Sequence, residues 1–273
     1  MNVNLTSAVD LVIESHTAVI VARRSAGLNP NPAVRLWPMP IAHCHPAVHP
    51  PAMIQTATIG PVLSILFLTA TFAAPVACLA DSLKPAYAGV FDSLTLHTAR
   101  GIDHNLLQIP RAVTGGGVRW EDSWFEAVSL SRNLGPLGDR HAALAGTPVA
   151  GWQEGYEVVL ARHRGLQRNG EIGVAYRLRT PTWTLGPVGA NLALGVGLSQ
   201  ALGTPSYEDG PEGDPSRRYR LQMLAIFETE LQLQGLPEWS LTARVHHRSG
   251  VYGLIAPPRV GSNFLAAGIR RRF

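Results

Sequence analysis

The chain has 273 residues, 15% of them charged and 46% hydrophobic, with 27 Gly and 21 Pro, whereas an average soluble domain carries about 25% charge. So little charge excludes a disordered or coiled-coil protein, and a single long uncharged apolar stretch is too few for a multi-helix membrane protein. The net charge of +4 comes with no basic run beyond Arg270-Arg271-Arg272, so no nucleic-acid partner is expected.

Residues 1–52 are rich in Pro and His and read as a disordered leader or a misread start. Within them His43-Cys44-His45 and His49 have a spacing that can bind zinc, but Pro-rich chain offers no rigid four-ligand scaffold, and no metal is assigned. From Leu36 to Ala80 there is no Asp, Glu, Lys or Arg, and the apolar block Ile59 to Ala74 runs into Pro75-Val76-Ala77-Cys78-Leu79-Ala80-Asp81. An apolar core followed by small residues is the pattern of a secretory signal, which places a signal peptide over 53–80 with Met53 as its start and the cut before Asp81. A single inner-membrane anchor is the competing reading of the same block. Cys44 and Cys78 both precede the cut. The mature part 81–273 then has no thiol, which removes disulfides, Cys metal sites and a Cys nucleophile together.

After Asp81 the apolar residues recur at period two, the mark of strands with one apolar and one polar face. Eight strands are predicted, over 90–101, 122–132, 154–164, 171–180, 188–201, 218–234, 239–249 and 262–273. In the sixth, Leu221, Met223, Ala225, Phe227, Leu231 and Leu233 share one face, and Arg220, Gln222, Glu228, Glu230, Gln232 and Gln234 fall mostly on the other. Strands of this length and pattern fit a barrel wall with a polar lumen and a lipid-facing exterior. The last strand closes on Phe273, with Ile269, Ala267 and Leu265 on its face and Arg271 an imperfect member. This end resembles the C-terminal sorting signal of bacterial outer-membrane barrels. Trp124, Trp152, Trp183, Tyr219 and Trp239 flank strands as interface girdles would. The fold expected over 81–273 is therefore all-β, an eight-stranded antiparallel transmembrane β-barrel in the bacterial outer membrane, and a soluble barrel or sandwich is the competing class. One connection, Asn133 to Gln153, is long for an inner turn: either a small periplasmic helix sits near Asp139 to Ala145 or the strand count is not eight. Eight strands leave a lumen that side chains fill, and Glu228 and Glu230 opposite Arg244 and Arg248 read as an ion-pair network within it.

The seventh strand carries the candidate chemistry. Trp239, Leu241, Ala243 and Val245 face lipid, and the same phase puts His247 and Ser249 on that side, while Arg244, His246 and Arg248 face the lumen. Ionisable side chains directed at lipid are costly and call for a reason. A His two residues from a Ser on one strand face lies about 5 to 7 Å away at the backbone, close enough for imidazole to take the hydroxyl proton. Gly250 and Gly253 are candidate donors to an oxyanion, although glycine in an outer turn is ordinary. His97 and His163 lie on strands without an obvious partner and read as structural, and Gly115-Gly116-Gly117 reads as a flexible outer loop.

His247-Arg248-Ser249, at the outer end of the penultimate strand, resembles the His-x-Ser motif of the outer-membrane lipid A 3-O-deacylases. The resemblance implies a lipase site open to the membrane, with Ser249 as nucleophile, His247 as general base, no cofactor, and lipid A or lipopolysaccharide of the outer leaflet as partner. It leaves a homodimer open. In that family an Asn follows the serine, where this chain has Gly250, and a Glu on the final strand orients the histidine, where this chain has no Asp or Glu after Glu238. Asn263, on the lipid face of the last strand, and the acidic outer loop with Glu208, Asp209, Glu212 and Asp214 are the candidate replacements. A non-enzymatic small barrel of structural or adhesive role is the alternative function.

Overall fold

The computed structural model describes residues 89–208, 219–258 and 260–273, together with Asp81 and the backbone of 7–14 and 17–24. The chain divides into two compact units, 1–49 and 50–273. In the first, β1 (Ser7–Glu14) and β2 (Thr17–Arg24) pair antiparallel. The His43-Cys44-His45 cluster, His49 and the segment 53–80 lie outside the described residues.

The second unit is a closed barrel of eight antiparallel strands, β3 (Ser93–Ile102), β4 (Trp120–Pro136), β5 (Gln153–Gly165), β6 (Gly170–Arg179), β8 (Val188–Leu202), β9 (Leu221–Leu233), β10 (Trp239–Ser249) and β11 (Gly261–Arg272). Each pairs with the next in sequence, β6 pairs with β8 directly, and β11 returns to β3, so no edge is left unpaired. All eight sequence-predicted strands are present. The ends differ most at β4, which passes the expected residue 132 and runs through a register shift between Asn133 and Gly135 to Pro136. The three-residue strand β7 (Trp183–Leu185) sits within the expected Pro181–Pro187 turn and pairs with the start of β8. The long Asn133–Gln153 connection holds two short helical turns, Leu137–Arg140 and Ala142–Leu144. The helix reading is therefore right and the strand count stands. Both barrel termini lie at the end bearing this connection, the turn end; the opposite, loop end carries, among the described residues, 103–119, 166–169, 203–208, 219–220, 250–258 and 260.

Inward and outward residues alternate along every wall strand, and the inward set is charged. Near the turn end Arg244 binds Glu157 (2.7 Å) and Glu228 (2.5 Å), Arg270 binds Glu228 (2.7 Å) and Glu230 (2.9 Å), and Arg177 binds Glu157 (2.9 Å) and Glu228 (2.6 Å). A buried carboxylate is tolerable only when paired and hydrogen-bonded, and each of these three meets at least two guanidinium groups. Toward the loop end Phe125 and Phe264 pack at 5.0 Å between ring centroids, with His163 and His246 edge-on to Phe125. Outward residues such as Ile172, Val174, Leu194, Phe227, Leu231 and Leu241 are apolar and exposed. An apolar exterior around a filled polar lumen is the construction of a bilayer-spanning barrel and the inverse of a soluble one.

Candidate functional site

β10 runs toward the loop end, and its phases separate as the alternation requires: Arg244, His246 and Arg248 are fully buried in the lumen, while His247 and Ser249 are half-buried on the exterior. Directly across on β11 stands Asn263, the register partner of His247. The two side chains meet, His247 Nδ1 lying 2.7 Å from Asn263 Oδ1. Since Oδ1 only accepts, Nδ1 carries the proton in this pairing and Nε2 is the unprotonated nitrogen of the ring. Asn263 is itself held, its Nδ2 donating to the His104 carbonyl oxygen in the β3–β4 loop at 2.8 Å. A chain of loop carbonyl, amide and imidazole thus fixes the ring in the tautomer that a general base uses.

Ser249 lies two residues along the same face. Among the described residues no hydrogen bond joins its hydroxyl to His247, and in unliganded sites such contacts commonly tighten only once substrate binds. The Gly250 amide, a candidate oxyanion donor by sequence, points into its own loop: it donates to the Val260 carbonyl at 3.2 Å, and the Gly250 carbonyl accepts from Ile255 (3.0 Å) and Ala256 (3.1 Å). Glycine is required there for close approach, because a Cβ would collide with the Ala256 carbonyl oxygen. The next residues, Val251 (φ 52°) and Tyr252 (φ 53°), are both left-handed, a conformation that is a genuine outlier for β-branched valine.

The acidic loop does not supply the missing carboxylate. Glu208 turns into the barrel, where Arg248 donates to it at 2.5 Å, Gln222 at 2.5 Å and Ser262 at 3.1 Å; Asp209, Glu212 and Asp214 lie outside the described residues. Beside Glu208, burial pushes the Tyr207 hydroxyl up to about 12, so it stays protonated. His163 is a satisfied lumen residue, bonded to Glu171 (2.8 Å) and Gln167 (2.9 Å). Glu171 also binds Ser199 (2.7 Å) and His246 (3.0 Å), but all four groups are almost wholly buried, out of reach of any lipid. His97 is buried with no hydrogen-bond partner on either ring nitrogen among the described residues. Gly115 ends the short helix Ile109–Thr114, its amide on the Arg111 carbonyl. The His104 carbonyl gave no signal in the sequence, since it reaches Asn263 from a loop nearly 160 residues away in the chain, |i−j| = 159.

No family model matches the chain, and no curated protein matches it. Solved structures similar to it include the crystal structure of the outer membrane enzyme PagL, at 10% identity and a TM-score of 0.45 over 66% of this chain and 99% of that one. The crystal structure of Neisserial surface protein A (NspA) is similar at 13% identity and a TM-score of 0.39, over 66% of this chain and 96% of that one. The chemistry has to be read from the site itself.

Proposed function

We propose that this protein is an outer-membrane esterase that removes an ester-linked acyl chain from lipid A or lipopolysaccharide, with Ser249 as nucleophile and His247 as general base. The loop end faces outward, because outer-membrane barrels keep short turns on the periplasmic side and longer loops outside. His247 and Ser249 then stand on the lipid-facing wall at the level of the outer leaflet. The observation that carries the reading is the 2.7 Å contact from His247 Nδ1 to Asn263 on the barrel exterior: a histidine held in one tautomer toward lipid has no packing role there. In the reaction, Nε2 takes the Ser249 proton as Oγ attacks the ester carbonyl. The imidazolium then protonates the departing sugar oxygen, and water releases the fatty acid from the acyl-enzyme.

Mass spectrometry of lipid A incubated with the folded barrel tests this. The expected product is lighter by one acyl chain, with free fatty acid released, and Ser249→Ala abolishes both. Unchanged lipid A with the wild-type protein would sink the proposal. The second reading, a non-enzymatic structural or adhesive barrel, is favoured by the unbonded Ser249 hydroxyl and the absence of a carboxylate on His247 among the described residues. It predicts that unchanged spectrum.

A further inference from the structure

Among the described residues of the wall strands, the charged side chains on the loop-end half of the exterior are gathered on one sector. The outward phases of β6, β8 and β9 carry no Asp, Glu, Lys or Arg at all. On β3, β4 and β5 the same phase carries Arg100, Asp122, Glu126, Arg162 and Arg164. Register places Arg100 and Arg164 on either side of Trp124, their Cα atoms about 10 Å apart at the usual strand spacing. Arg162 sits one outward step nearer the turn end, opposite Glu126.

The three cations are differently held. The Arg100 guanidinium lies 5.6 Å from the Trp120 ring centroid and 5.3 Å from that of Trp124. Its Nε donates to the Glu121 carbonyl at 3.0 Å and its Nη2 to Asp122 at 3.3 Å, which orients the group and leaves Nη1 open. Arg164 donates one Nη2 bond to Glu126 at 2.8 Å. Arg162 makes no hydrogen bond or ion pair among the described residues, and its partner across on β6 is Gly170, which presents no side chain. Three guanidinium groups facing two carboxylates leave an excess of positive charge. An arginine on a lipid-facing wall costs about 2–4 kcal/mol at the midplane and little near the interface, so three on one sector belong at headgroup depth with an anionic partner. The planar fork of arginine matches phosphate oxygens two at a time, and the Trp120 and Trp124 rings suit the same interfacial layer.

We propose that Arg100, Arg162 and Arg164 form a docking face for the phosphate of a phosphorylated lipid headgroup in the outer leaflet. The face adjoins the candidate site: Arg100 stands opposite Leu265 on β11, which stands opposite Val245 on β10, two residues from His247. A lipid anchored there by phosphate lays its acyl chains along the wall that carries His247 and Ser249. The proposal rests on the outer-leaflet placement of this end of the barrel and is independent of hydrolysis.

The test is native mass spectrometry of the full chain folded in dodecyl maltoside, with dipalmitoyl phosphatidic acid and dipalmitoyl glycerol as probes that share acyl chains and differ in phosphate. Wild-type protein should retain phosphatidic acid about tenfold better, as one to two charge-assisted hydrogen bonds give. Combined Arg100→Gln, Arg162→Gln and Arg164→Gln should remove the preference. Arg162→Gln alone breaks no bond within the fold and should lower it several-fold. Arg132→Gln, an exterior arginine at the turn end, should leave it unchanged. Equal retention of the two lipids by wild type, full retention by the triple variant, or an equal loss in Arg132→Gln would overturn the proposal. Complete displacement by millimolar inorganic phosphate would also overturn it, by assigning the site to a free anion. Ser249→Ala should bind like wild type, and a wild-type barrel that leaves lipid A unchanged yet still selects phosphatidic acid would sink hydrolysis and leave this face standing.

Discussion

Under the proposed esterase mechanism, the amide of Asn263 does at His247 half of what a carboxylate does in a serine hydrolase. It accepts a hydrogen bond from Nδ1–H and so fixes tautomer and ring angle, but it brings no negative charge to stabilise an imidazolium. Asn263→Ala is therefore expected to lower kcat on lipid A by about 10- to 100-fold with KM nearly unchanged, measured as initial fatty-acid release. Aspartate is not a simple improvement, because the second oxygen would face the His104 carbonyl that the Asn263 Nδ2 now satisfies at 2.8 Å. This part of the site was legible in part: the phase of the last strand puts Asn263 on the lipid face, while its place directly opposite His247 is set by the β10–β11 register, which spacing does not give. The roles of Gly250 and Glu208 were not, since residue type says nothing of which way a loop amide or a loop carboxylate turns. Glu208 was drawn inward by Arg248, an ion pair across 40 residues that no periodicity encodes.

The β10–β11 loop shows the same limit for an element. Gly250 is needed because backbone passes where a Cβ would be, so Gly250→Ala is expected to destabilise the barrel by about 1–3 kcal/mol. Val251 at φ 52° is the opposite case, and Val251→Gly should stabilise by about 1 kcal/mol through relief of strain. Urea titration of the folded barrel, followed by heat-modifiable migration on gels, reads both. The strands themselves were legible because alternation of period two is enforced along their whole length by lipid on one side and the lumen on the other. Their ends were less so: β4 continues to Pro136 through the irregularity at Asn133 and Gly135, and β7 hides in what reads as a turn. Both departures lie where neither face is constrained by a bilayer.

For the whole molecule, the lumen is held by charge where a soluble core would be held by apolar packing. Glu228 answers Arg177, Arg244 and Arg270 at once, and Glu228→Ala would leave those guanidinium groups short of a counter-charge in a site that water does not screen. The expected cost is about 3–5 kcal/mol, again read from the urea midpoint, and an exposed pair such as Glu126 with Arg164 should cost under about 1 kcal/mol when broken. The pairing of Glu228 with Arg244 was visible from strand phase; Arg248, expected in the same network, binds Glu208 instead, Glu230 answers Arg270, and the contributions of Glu157, Arg177 and Arg270 needed the closure of the barrel. The esterase reading depends on that closure sending residues 247 and 249 outward. A nitroxide on Ser249→Cys, the one thiol in residues 81–273, measures it in bilayers. Its relaxation should be enhanced by membrane-dissolved oxygen as at the exterior position 241, and stronger enhancement by a water-soluble nickel complex, or immobilisation like that at the interior position 240, would contradict the account.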